Sequence, residues 1–222
     1  MLLFYIVLWA KIGGECRCVQ WSIFFGGNGS TTGSVIEERN SPALATHTAN
    51  PYGRESGFSD AVELQGQHIS KDNNLYGLGI AFEELTSKVT IVQLNIGGTL
   101  SALVNGKTTL QNDFIPLNPY IGHRYLYGRV SFDLLAGLDL GLCMTSRETR
   151  TISSGPEAIV NDQINKPKPS VDVRPRVQLK ASLNRWGLIA GYSLGLTNYQ
   201  TAGDLKAYSN FLRLGLSYQL LR

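Results

Sequence analysis

Several common functional classes are missing their raw material in this chain. Its three cysteines, Cys16, Cys18 and Cys143, cannot build a disulfide framework, and Cys16-x-Cys18 has the wrong spacing for a zinc knuckle or a thioredoxin-type pair. Histidine is as scarce. His47, His68 and His123 are the only neutral-pH bases available without a perturbed pKa. They are isolated and the carboxylates are scattered, so neither a metal set nor a cofactor site is expected. No Gly-x-Ser-x-Gly elbow occurs and no serine is evidently paired with a histidine, which argues against an enzyme. The net charge of +3 is too small to imply nucleic acid, and no basic run carries interleaved aromatics. No apolar run reaches the roughly 20 residues of a spanning helix; the longest, Met1 to Ala10, is about half of that.

That N-terminal run has the length of a secretory h-region, although no Lys or Arg precedes it and no A-x-A site follows. Cys16 and Cys18 can occupy the −3 and −1 positions before cleavage near Val19. We therefore expect a signal peptide over 1–18 and one domain over 19–222. Glu15 before Cys16 spoils a lipoprotein cleavage box, so no lipid anchor is expected. Cys143 is then the one cysteine left, read as a packing residue. Mean hydropathy is −0.06, which looks soluble, but an alternating membrane strand has an equally modest average.

What the chain does have is period-two alternation, the signature of a strand with one apolar face. Leu212, Leu214, Leu216, Tyr218 and Leu220 share one parity against Arg213, Gly215, Ser217 and Gln219. The same division recurs in 186–197, 171–183 and 129–144, where Val130 to Met144 alternates with Ser131, Asp133, Gly137, Asp139, Gly141 and Cys143. Weaker alternation marks 112–125, 75–84, 58–69 and 20–27. Pro116 and Pro119 predict a bulge or bend in 112–125, because each removes a ladder donor. The connections run long (28–57, 85–111, 145–170, 198–208) and short (Lys71 to Asn74, Leu126 to Gly128, Asn184-Arg185) in strict alternation. This predicts an all-β fold: a closed, eight-stranded, antiparallel, up-and-down transmembrane β-barrel. Trp21, Tyr76, Tyr125, Trp186 and Tyr218 fall with outward parity near the short-turn ends, where amphipathic rings favour a membrane boundary. His68 and His123 have outward parity at the same end; His47 lies in the first long loop.

The register turns Glu63, Glu83, Arg124, Asp133, Asp139, Arg174, Arg176, Lys180 and Arg213 inward. A barrel of this size is just wide enough for side chains to fill, so these nine should form a plugged network of ion pairs. Glycines at 77, 79, 137, 141, 187, 191, 195 and 215 leave room for them. A narrow ion path along Arg174, Arg176 and Lys180 is the functional alternative. The architectural rival is a soluble lipocalin-like barrel with the leucine rows inside. Lys166-Pro167-Lys168-Pro169 reads as a stiff exposed spacer. Gly26-Gly27-Asn28-Gly29 precedes a loop, not a helix, and makes no phosphate cradle.

Four segments carry a resemblance: Gln20 to Asn28, Phe114 to Gly122, Phe132 to Gly141, and Gly191 to Thr197. The chain resembles, over roughly residues 20–220, the bacterial outer-membrane β-barrel family that includes PorT-like proteins of Bacteroidetes-type envelopes. These motifs are shared by many divergent barrels. The chain departs from the pattern at its end, Tyr218-Gln219-Leu220-Leu221-Arg222, where such barrels usually finish on an aromatic. The resemblance implies residence in the outer membrane and a structural, binding or secretion-accessory role. The expected partners are outer-membrane lipid and a loop-bound extracellular molecule, with the barrel itself a monomer. A small channel and a lipid-modifying enzyme with an outward Ser-His pair are the alternatives.

Overall fold

The computed structural model describes residues 18–31, 43–44, 47–48, 55–96, 100–154, 158–165, 170–199 and 208–221. The expected signal peptide (except Cys18), the Lys166–Pro169 spacer and most of the first long loop lie outside these residues. Eleven strands appear: β1 (Cys18–Thr31), β2 (Ala43–Leu44), β3 (His47–Thr48), β4 (Glu55–Ile69), β5 (Asn74–Ile96), β6 (Leu100–Tyr127), β7 (Val130–Ser154), β8 (Ala158–Asn165), β9 (Val171–Leu183), β10 (Trp186–Leu194) and β11 (Asn210–Leu221). Eight of them close a ring in the order β1-β4-β5-β6-β7-β9-β10-β11, with β11 returning to β1. Every pairing in the ring is antiparallel. Closure leaves no unpaired edge inside a membrane, which is the condition for a sheet to span one.

The pleat sorts the side chains as the alternation requires. Val177 is 57%, Leu188 64% and Leu214 56% exposed, whereas Arg174 and Asp139 on the opposite parity are 0% exposed. An outer belt of leucine with charges at the centre is the inverse of a soluble barrel. It excludes the lipocalin-like arrangement and gives the architecture of an outer-membrane-type barrel. The belt's turn end carries rings: Trp186 meets Tyr218 edge-on at 4.9 Å and His123 meets Tyr125 at 4.8 Å. The tight turns use left-handed residues, Asn73 (φ 61°), Gly128 (φ 60°) and Asn184 (φ 55°). Asparagine and glycine are the residues that adopt this conformation most easily.

Pro116 and Pro119 act on opposite sides of β6. The β5 ladder skips Ile115 and Pro116, the β7 ladder skips Asn118 and Pro119, and the register shift against β7 lies between Asp113 and Phe114. Each proline thus interrupts the ladder it cannot donate to, and the bulge sits just beyond them.

Two expected loops are largely strand. The 85–111 connection continues β5 and β6 to the pair Ile96↔Leu100, and 145–170 contains the end of β7 and all of β8. The sequence hides the continuation of β5 because the alternation changes phase: Val89 and Ile91 have one parity, Val92, Leu94 and Ile96 the other. At 28 residues, β6 is roughly 90 Å long at about 3.3 Å per residue, far beyond the 9–11 residues a spanning strand needs. The surplus of β5, β6 and β7, joined by β8, forms a sheet arm at the long-loop end.

Candidate functional site

The lumen is layered along the barrel axis. Nearest the short turns, Arg124, Asp133 and Lys180 stand in one row on β6, β7 and β9, each directly opposite the next. Arg124 holds Asp133 through two bonds, Nε to Oδ1 at 2.6 Å and Nη2 to Oδ2 at 2.7 Å. This bidentate fork is the strong form of the interaction. Arg124 also donates to Gln20 Oε1 at 3.1 Å, and Gln67 donates to the same oxygen at 2.7 Å. Above this row Tyr120 reaches Gln67 at 3.4 Å. The Tyr120 ring fills the space over Gly77, and the Glu63 carboxyl that over Gly79, where a methyl group would collide with each.

The central layer is ionic. Arg176 pairs with Glu63 at 2.9 Å and with Asp139 at 3.3 Å. Arg213 pairs with Asp139 at 3.0 Å and also with Glu83. Arg174 pairs with Glu83 at 2.9 Å and lies 3.6 Å from Asp172. Asp139 further accepts from Ser193 at 2.9 Å and from Asn118. Register explains the convergence. Asp139 is the cross-strand partner of Arg174, while Gly137 and Gly191 stand opposite Arg176 and Arg213. Small residues beside long ones let the guanidinium groups reach the axis.

The layer toward the loops is apolar: Leu85, Phe114, Cys143, Tyr199 and Phe211 pack together. The Arg174 guanidinium lies 4.2 Å from the Phe211 ring centroid and 5.5 Å from that of Phe114. Such contacts strengthen when water is absent. Tyr199 reaches this layer because the chain after β10 turns back on β9. Leu196 N donates to Val173 O at 2.9 Å and Val173 N donates to Thr197 Oγ1 at 2.9 Å. Its hydroxyl then donates to Asp172 Oδ2 at 2.5 Å.

All nine inward charges therefore line the lumen. Eight are ion-paired; among the described residues Lys180 is the exception, its Nζ reaching Ser22 Oγ at 3.3 Å. Asp172 is a tenth charge, fully buried. It was legible, since it shares the parity of Arg174. The apolar cap was not legible, because Leu85 and Tyr199 fall in expected loops and the polar-inward rule has no place for Phe114 or Phe211. Cys143 does pack in that cap. The alternative ion path along Arg174, Arg176 and Lys180 is crossed by the carboxylates of Glu63, Glu83 and Asp139.

His68 stands in register with Val19 and Tyr76, and His123 Nδ1 lies 3.0 Å from Asn74 Oδ1. His47 belongs to β3, and its side chain lies outside the described set. Among the described residues no three His, Cys, Asp or Glu side chains gather as a metal site.

No family model matches the chain, and no curated protein is similar to it. Among solved structures, it is similar to Neisserial surface protein A (NspA), at 10% identity over 90% of this chain and 97% of that one, with a TM-score of 0.41. It is also similar to Ail, the attachment invasion locus protein of Yersinia pestis, solved with the heparin analogue sucrose octasulfate (12%, 91% and 99%, TM-score 0.36). A third is the N-terminal β-barrel domain of Pseudomonas aeruginosa OprF (10%, 91% and 100%, TM-score 0.33).

Proposed function

We propose that this chain is an integral protein of the bacterial outer membrane, a rigid plugged barrel that presents its long-loop end to a partner outside the cell. One observation carries the reading: an apolar belt surrounds a lumen filled by ion pairs and an aromatic cap. A cylinder built this way has lipid as its lateral partner and has its recognition surface on the loops, as rigid scaffolds commonly do. The β5–β8 arm extends that surface. The barrel acts as a monomer and performs no catalysis; activity toward phospholipid abolished by His68→Ala or His123→Ala would overturn the second point. PorT-like membership, and the secretion-accessory role it implies, is the finer version of the same reading and rests on the four sequence segments alone. A deletion strain that retains secreted cargo in its periplasm supports it; unaltered secretion removes it.

The plug is tested in planar bilayers. Purified protein should give no discrete conductance. Openings that shrink after charge reversal at Arg174 or Arg176 would replace the binding role with a channel.

A further inference from the structure

The turn end of the lumen opens into a cavity of about 450 Å³, within the usual range for a small-molecule site. Four cations line it: Arg124 on β6, Arg129 in the β6–β7 turn, Lys180 on β9 and Arg185 in the β9–β10 turn. They gather on one wall because β6, β7, β9 and β10 are successive neighbours in the ring. Asp133 and Glu63 are the carboxylates that face Lys180; both Asp133 oxygens bind Arg124, and Glu63 pairs with Arg176. Lys180, only 6% exposed, is left with the Ser22 hydroxyl. It forms no ion pair among the described residues. The central ionic layer lies between this cavity and the aromatic cap, so the cavity is a blind vestibule entered from the turns.

We infer that this vestibule binds a phosphate group, carried by a small solute or by a lipid headgroup. Arg124 and Lys180 inside the cavity, with Arg129 and Arg185 exposed at its mouth, call for an anion with more than one charge or more than one acceptor face. Phosphate offers both: oxygens for the guanidinium forks and a compact charge for the ammonium. Lys180 sits at the floor, where a bound oxyanion would supply the counter-ion it lacks. Opening toward the periplasm rests on the membrane reading above; binding itself does not, and its failure would leave the conductance result untouched.

The test uses the full chain in a neutral detergent, titrated with inorganic pyrophosphate at low salt by calorimetry. Saturable one-to-one binding is expected. Lys180→Gln should weaken it about tenfold or more, as loss of a desolvated charge partner does. Lys180→Arg should retain it, and Lys71→Gln, on the β4–β5 turn outside the cavity, should leave it unchanged. A heat-modifiable gel shift checks that each variant is folded. Competition by a short-chain phosphatidylglycerol but not by glycerol phosphate assigns the site to lipid, and the reverse assigns it to a solute. Absence of saturable binding, or equal weakening by Lys71→Gln and Lys180→Gln, overturns the inference.

Discussion

Asp139 is where three arginines meet. Arg176 and Arg213 pair with it and Arg174 lies 3.9 Å away, with Ser193 and Asn118 adding hydrogen bonds. Removing that carboxylate leaves three buried guanidinium groups to share Glu63, Glu83 and Asp172 alone. Asp139→Ala should therefore cost about 3–5 kcal/mol, the usual penalty for breaking one side of a buried pair. Equilibrium urea unfolding in lipid vesicles measures it. Lys180→Met should behave oppositely and cost less than about 1 kcal/mol, because the buried ammonium it deletes has no ion pair among the described residues to lose. Both residues were legible as inward charges from parity alone. Their unequal standing was not, since parity says which way a side chain points and nothing of which partner it reaches across the lumen. Phe114 and Phe211 were hidden for a related reason. An apolar residue facing inward looks, in sequence, like a break in the pattern.

At the scale of elements, the turns are held by backbone conformation. Asn184 has φ 55°, which a β-branched residue tolerates poorly. Asn184→Val should destabilise by about 1–2 kcal/mol and Asn184→Gly should be nearly neutral, read by the same unfolding assay. The spanning strands were legible because each carries a continuous apolar row. Beyond the acyl layer that row ends, and segments such as Thr86-Ser87-Lys88 pass for loop although the ladder continues to Ile96↔Leu100. The arm is thus a structural annex of the barrel wall. Replacing residues 89–106 with a short turn should leave the heat-modifiable shift intact, whereas loss of the folded band would show that closure depends on the arm.

For the whole molecule, strand number, connectivity and the direction of each face follow from alternation and loop lengths. The interior's asymmetry does not: aromatic closure at the loop end and a basic vestibule at the turn end emerge only when distant strands are brought into register. Role is least legible, because recognition would reside in loops whose sequences carry no motif.

The central claim concerns direction: leucine rows against acyl chains, ionic rows against one another. Nitroxide labels placed singly along β10 in lipid vesicles report it most directly. Labels at 188, 190 and 192 should be accessible to oxygen and shielded from a water-soluble nickel complex, while labels at 189 and 193 are shielded from both. Accessibility to the nickel complex at 188, 190 and 192, equal to that of a label in the 184–185 turn, would contradict the account.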